Sequence, residues 1–151
     1  MTENQIRELI EAAIQARRMS YAPYSHYKVG AALLAENGQI FQGCNIENAA
    51  YTPTNCAERT AFFKAVSEGV REFKAIAVVG SPDGDELTQF ASPCGVCRQV
   101  MMEFCDPEVF RIIVARSVTD YRCMTLREML PCGFGPDNVT KSIIDRRKAW
   151  G

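Results

Sequence analysis

Ile6, Leu9, Ile10, Ala13 and Ile14, with Arg17 closing the series, recur at helical spacing after Thr2, a suitable N-cap. The chain therefore opens with an amphipathic helix. Residues 19–25 lose that period and read as a loop. Two apolar runs, 28–35 and 39–45, flank Glu36-Asn37-Gly38, which is a hairpin signal. A loop over 49–55 leads to helical character over 56–69, with Gly69 as the stop. Residues 73–80 form a continuous apolar run of strand length, and 81–89 a polar loop. Ser92-Pro93 opens another helix that runs to about Phe104. A third apolar strand follows at 109–115, then a short element at 121–124 and one or two helical turns over 125–130 before Pro131. A terminal helix is expected over 141–150, with Arg146-Arg147-Lys148 as its solvated face. The order α-β-β-α-β-α-β-(β)-α predicts an α/β protein whose mixed sheet is covered on both faces. No internal repeat, low-complexity segment or linker divides it, so residues 1–151 are expected to form a single domain.

Composition narrows the function. The chain has 151 residues, against ~100–200 for a typical domain. It is 47% hydrophobic and 23% charged, which suits a globular protein and not a disordered one. Seventeen Lys plus Arg against eighteen Asp plus Glu leave a net charge of −1. No strong positive field is available to hold a phosphate backbone, which argues against a nucleic-acid partner. The longest apolar stretches, 30–35 and 76–79, fall far short of the ~20 residues a membrane span needs. The first five residues carry no basic segment and precede no apolar core, so a cytoplasmic location is expected.

Seven cysteines and one histidine stand out. Without a leader, that many thiols point to a reducing compartment, where they serve as metal ligands, nucleophiles or buried small side chains. The single His26 excludes any site needing two imidazoles from one chain. Two segments hold the informative thiols: Thr54-Asn55-Cys56-Ala57-Glu58-Arg59 and Ser92-Pro93-Cys94-Gly95-Val96-Cys97-Arg98. Both fall at predicted helix starts, with Asn55 and Ser92-Pro93 as the expected start signals. Free amides and the positive helix end favour the thiolate, the species that binds metal. Cys94 and Cys97 share one helical turn, and Cys56 supplies a third sulfur. Three protein ligands with an open fourth position describe a catalytic zinc. Glu58, two residues after Cys56, is near such a metal without having to bind it. A carboxylate there can take a proton from an activated water and pass it to a substrate nitrogen.

Each residue also has a structural reading. Glu58 lies three residues after Asn55, the spacing of a capping box. Cys94 and Cys97 match a dithiol redox pair. Cys44, Cys105, Cys123 or Cys132 would complete a closed four-cysteine zinc, although none forms a second Cys-x-x-Cys. Cys105, Cys123 and Cys132 are expected as buried small side chains.

The combination is more specific than its parts. Zinc deaminases carry His-x-Glu followed by Pro-Cys-x-x-Cys, with a three-cysteine variant, and this chain has Cys56-Ala57-Glu58 and Pro93-Cys94-Gly95-Val96-Cys97. Further segments agree: Tyr24-Ser25-His26-Tyr27-Lys28-Val29-Gly30, Gly43-Cys44-Asn45-Ile46-Glu47-Asn48-Ala49 and Leu130-Pro131-Cys132-Gly133-Phe134-Gly135-Pro136. From about Tyr21 to Asn138 the sequence resembles the cytidine deaminase family, in its small homotetrameric branch.

That resemblance implies a three-layer α-β-α sandwich with a mixed five-stranded sheet, assembled as a homotetramer with composite active sites. It implies one Zn²⁺ per chain held by Cys56, Cys94 and Cys97, with Glu58 as proton shuttle. The implied substrates are free cytidine and 2′-deoxycytidine, converted to uridine and 2′-deoxyuridine with release of ammonia. Asn45 and Glu47 match the pair that hydrogen-bonds the ribose 3′-hydroxyl, and the Ala57 amide matches a donor to the pyrimidine carbonyl. Tyr27 stands where the family usually has a Phe beside the base. Phe134 matches an aromatic that reaches a neighbouring subunit's site, and Tyr51 a loop residue near subunit contacts. Arg59, three residues after Cys56, shares its helix face and is expected to draw charge from the ligand sulfurs. Tyr27-Lys28 and Thr52-Pro53-Thr54-Asn55 depart from commoner family sequences. The competing readings are a blasticidin-type deaminase, a polynucleotide deaminase, a thiol redox protein on Cys94 and Cys97, and a non-catalytic zinc module.

Overall fold

The computed structural model of the chain describes residues 1–84 and 86–139. The helix expected over 141–150 lies outside them. Helix α1 (Glu3–Arg17) is followed by strands β1 (Tyr27–Ala35) and β2 (Ile40–Cys44), then helix α2 (Ala57–Ser67). Strand β3 (Phe73–Pro82), helix α3 (Gly95–Phe104), strands β4 (Arg111–Ala115) and β5 (Tyr121–Thr125), and the single turn α4 (Leu126–Met129) complete the series, before a 3₁₀ turn at Pro136–Asn138. The sheet runs β2-β1-β3-β4-β5. Only the β3–β4 pair is parallel, and α3 makes the crossover that a parallel pair requires. The sheet is thus mixed and five-stranded, as expected.

Strand parity sorts the side chains into two layers of core. On one face Leu9, Ile10 and Ala13 of α1 pack against Ala32, Leu34, Ala75, Ala77 and Val79. On the other, Ala61 and Phe62 of α2 and Met101 of α3 pack against Ala31, Leu33, Ile76 and Val78. Neighbouring residues of β1 and β3 are buried on opposite faces, which is why both strands read as unbroken apolar runs. Phe62 is fully buried with Phe73, Phe104 and Phe110 around it, their ring centroids 5.0, 6.1 and 6.1 Å away. Burial of one such ring contributes ~1.5–3 kcal/mol.

Two helices start later than their sequence signals. Thr2 caps α1 with a reciprocal box to Gln5, but neither Asn55 nor Ser92 caps a helix. Cys56 is the N-cap of α2 and Cys94 the N-cap of α3, both with extended backbone. Asn55 is diverted because its amide and carbonyl both pair with Ile46, at 2.9 Å each. At α3 the Cys94 sulfur accepts from the Cys97 amide at 3.4 Å, the bond a serine hydroxyl makes at an ordinary cap. Val109 belongs to a turn and not to β4, because the amides of Val109 and Phe110 both bond back to Asp106. Cys105 is buried, whereas Cys123 and Cys132 are exposed. This corrects the expectation for those two: β5 is an edge strand, with α1 packed over β1, β2 and β3 instead, and Cys132 sits at φ 55° in the turn after α4.

Close seating of α2 depends on Gly43. A Cβ there would lie 2.3 Å from the Ala57 carbonyl oxygen and 2.6 Å from the Ala61 amide nitrogen, both fixed backbone atoms. Gly43→Ala is therefore expected to cost at least the ~1–3 kcal/mol of core over-packing. Urea unfolding checks this, and a midpoint equal to the parent's would show that α2 does not sit this close.

Candidate active site

Two helix N-termini aim at one place. Cys56 caps α2, Cys94 caps α3, and Cys97 stands in the first turn of α3. All three sulfurs lie within 4.8 Å of one another. Among the described residues this is the one group of three or more such donors, and none of the other four cysteines joins it. The closed four-cysteine reading is therefore not met. A tetrahedron with Zn–S arms of about 2.3 Å sets its corners about 3.8 Å apart, and the Cys56 and Cys94 sulfurs are 3.8 Å apart.

The electrostatics describe a site short of positive charge. The Cys97 thiol hydrogen-bonds the Cys56 sulfur and, helped by Arg59, holds Cys56 down at about 5. The same bond, burial and the nearby Glu58 charge push Cys97 upward. Two sulfurs thus share one proton because two bare thiolates in contact repel. A divalent cation would remove that conflict, so the donor set fits zinc. Arg59 stands beside it as a fixed cation: Nη2 is 3.4 Å from the Cys56 sulfur. Its Nε is the one buried side-chain polar atom without a hydrogen-bond partner among the described residues.

Glu58 occupies the second helical position of α2 and is 4% exposed. It is not the return arm of a capping box, since Asn55 caps nothing; the Asn55 side chain bonds the Thr60 hydroxyl at 3.1 Å. The Cys97 sulfur is 3.8 Å from Glu58 Oε2. Burial first, then the Cys56 charge, pushes the carboxyl up to about 7, into the range where it can both take and give a proton.

Cys56, Cys94 and Glu58 line a cavity of about 400 Å³ whose wall also includes Tyr27, Asn45, Glu47 and Ala57, with Cys97 buried behind them. A short three-stranded stitch brings these together. Ile46 pairs on one side with Asn55 and on the other with Tyr21, so the end of β2 is tied directly to the approach to α2. Asn45 is buried and its amide is half used: Oδ1 accepts from the Val29 amide at 2.9 Å, and Nδ2 donates to the Tyr27 carbonyl at 2.7 Å. One Nδ2 hydrogen remains for a ligand. Glu47 Oε1 accepts from the Tyr24 and Ser25 amides, each at 3.0 Å, and Oε2 accepts from the Ser25 hydroxyl. Partial desolvation opposes these bonds, yet they hold the carboxyl below the usual range.

Two residues named from the sequence stand apart. Tyr51 lines an adjoining cavity of about 390 Å³ that shares Glu47 and Thr54 with the first. It is 74% exposed, in left-handed backbone at φ 60°, with its ring edge-on to Tyr24 at 6.2 Å. Phe134 is 63% exposed and does not line its own chain's cleft. Conversely, the cleft has a wall unnoticed in the sequence, formed by Phe90, Ala91 and Ser92. The guanidinium carbons of Arg116 and Arg122 lie 4.6 and 4.4 Å from the Phe90 ring centroid. Gln89 donates to the Tyr27 hydroxyl at 2.9 Å. Adjacency to Pro93-Cys94 was the only available signal for this wall.

Three converging sulfurs beside a cavity and a buried carboxylate are the donor set of a zinc-dependent protein whose metal faces a ligand. Known proteins carry the same arrangement of sequence and fold. A family model described as "Cytidine and deoxycytidylate deaminase zinc-binding region" matches residues 3–113. A cytidine deaminase of Sporosarcina psychrophila is 49% identical over 135 residues, covering 89% of this chain and 95% of that protein. A blasticidin-S deaminase of Bacillus cereus is 36% identical over 109 residues, covering 70% and 76%. The crystal structure of cytidine deaminase from Burkholderia pseudomallei superposes with a TM-score of 0.77 at 47% identity, over 89% of this chain and all of that one. The chain belongs to the cytidine and deoxycytidylate deaminase family.

The three sulfurs generate a direct expectation. The purified protein should hold one zinc per chain by elemental analysis, and Cys97→Ser should retain only a small fraction of it. Full zinc in that variant would remove Cys97 from the donor set.

Proposed function

We propose that the chain is a zinc-dependent hydrolytic deaminase of free cytidine and 2′-deoxycytidine, working in cytoplasmic pyrimidine salvage as a single-domain subunit of a homotetramer. The observation that carries this reading is Glu58, buried beside three convergent sulfurs at the floor of a cavity of nucleoside size. The relatives named cytidine deaminase match at higher identity and over more of the chain than the blasticidin-S deaminase, which favours the nucleoside.

Cys56, Cys94 and Cys97 would hold the zinc. When bound, it supplies Lewis acidity that makes water a nucleophile at neutral pH. The remaining work falls to the chain's own groups. Glu58 takes a proton from the attacking water and delivers it to N3 of the pyrimidine. The water oxygen bonds to C4, Glu58 moves the second proton to the exocyclic amine, and the C4–N4 bond breaks. Uridine and ammonia leave, and Glu58 ends in the charge state in which it began. The Ala57 amide, at the first position of α2, has no carbonyl partner within its helix and is free to donate to the pyrimidine carbonyl. Asn45 and Glu47, with the hydrogen-bonding capacity left over from the stitch, bind the ribose. Tyr27 flanks the base, and Arg59 withdraws charge from the sulfurs. Exposure of Tyr51 and Phe134 supports their burial in subunit contacts, with Phe134 completing a neighbour's pocket. No helix among the described residues is long and apolar enough to cross a membrane.

Glu58→Gln should keep its zinc and lose at least ~10²–10⁴-fold in kcat, read from the ultraviolet change as cytidine becomes uridine. Retained deamination would remove Glu58 from the mechanism. Sedimentation should give four times the chain mass, and Phe134→Ala should raise KM several-fold at nearly constant kcat. A monomer with full activity would overturn the composite site.

A further inference from the structure

We propose that Ser25 is a positioning residue for ribose recognition, acting through Glu47. The inference rests on reading Glu47 as the acceptor of the ribose 3′-hydroxyl. Ser25 does not line the metal cleft; it lines the adjoining cavity, and Glu47 forms the ridge between the two. Its hydroxyl has a fixed direction. The oxygen accepts from the Tyr27 amide at 3.0 Å, so its single hydrogen is left for Glu47 Oε2. The two main-chain amides, of Tyr24 and Ser25, hold only the other oxygen, Oε1. Among the described residues, the Ser25 side chain is therefore the one side-chain group bonded to Glu47, and it sets the rotation of the carboxylate about that anchor.

The loop is built to hold this orientation. His26, between Ser25 and Tyr27, is in left-handed backbone at φ 55°, which folds the Ser25 side chain back onto the Tyr27 amide. Both of its main-chain groups are secured: its amide donates to the Ala22 carbonyl at 3.0 Å, and its carbonyl accepts from the Asp83 amide at 2.6 Å. A carboxylate held by three donors before substrate arrives spends less freedom on binding, so the gain appears in affinity and not in the chemical step.

The test uses zinc-loaded enzyme and two substrates, cytidine and 3′-deoxycytidine, which lacks the hydroxyl in question. Ser25→Ala should raise KM for cytidine about tenfold, the scale of one charge-assisted hydrogen bond. Its kcat should stay within about twofold of the parent, a change confined to ground-state binding. Its KM for 3′-deoxycytidine should not move, and Ser25→Thr should restore the parent value for cytidine. Both substrates are read on the same preparation, so a folding defect would shift them together. An equal rise for both, or none for either, while Glu47→Gln still penalises cytidine selectively, overturns the role of Ser25 and leaves Glu47 in place. Glu47→Gln without selectivity between the two substrates overturns both.

Discussion

The site depends on mutual repulsion among three sulfurs that two helix starts bring together. Sulfur is an acceptable N-cap because it accepts from a free amide as a hydroxyl oxygen does, as Cys94 shows with the Cys97 amide. Cys56 stands at the other N-cap without a side-chain cap bond, and the facing sulfurs concentrate negative charge where the helix ends supply only partial positive charge. Arg59 supplies a whole one, but from one side. Two neighbours respond: Cys56 is held down by the Cys97 thiol and Arg59, and Glu58 is pushed up to about 7, by burial first and then by the Cys56 charge.

Holding that cluster requires α2 to lie against the sheet at backbone contact. Gly43 provides the space, and Phe62, on the same buried side of the helix, fills the core beside it with its ring cluster. Gly30 does the same for α1, where a Cβ would lie 2.0 Å from the Ala13 carbonyl oxygen. The sheet is thus clasped on both faces through single missing methyl groups. The Ile46 stitch then transfers the position of α2 to Asn45 and Glu47. The sulfur cluster and the Asn45–Glu47 edge are consequently tied together, although they come from different segments of chain.

Much of this was legible in the sequence because apolar periodicity reports which side of an element is wet. Leu9, Ile10 and Ala13 marked α1, and the unbroken runs of β1 and β3 marked strands covered twice. Cysteine spacing carried the metal site, since side-chain chemistry at fixed helical offsets needs no knowledge of the rest. Failures occurred where a distant partner outcompeted a local signal. Asn55 looked like a cap until Ile46 claimed its main chain, and Pro93 looked like a first helical residue two positions too early. Cys123 and Cys132 were misjudged because burial depends on what covers an edge strand or a turn, and no local pattern encodes that. Phe90 carries no motif; its importance comes from Arg116 and Arg122, which reach it from another hairpin.

The Asn45 amide has an evolutionary consequence. The β1–β2 ladder ends at the Gly30–Cys44 pair, and the Asn45 side chain continues it, accepting from Val29 and donating to Tyr27 as another strand residue's main chain would. The same carboxamide faces the cleft. A change there would alter the cleft wall and sheet integrity together, with no intermediate in which one is adjusted alone. Drift in the shape of the cleft is thereby channelled away from this position.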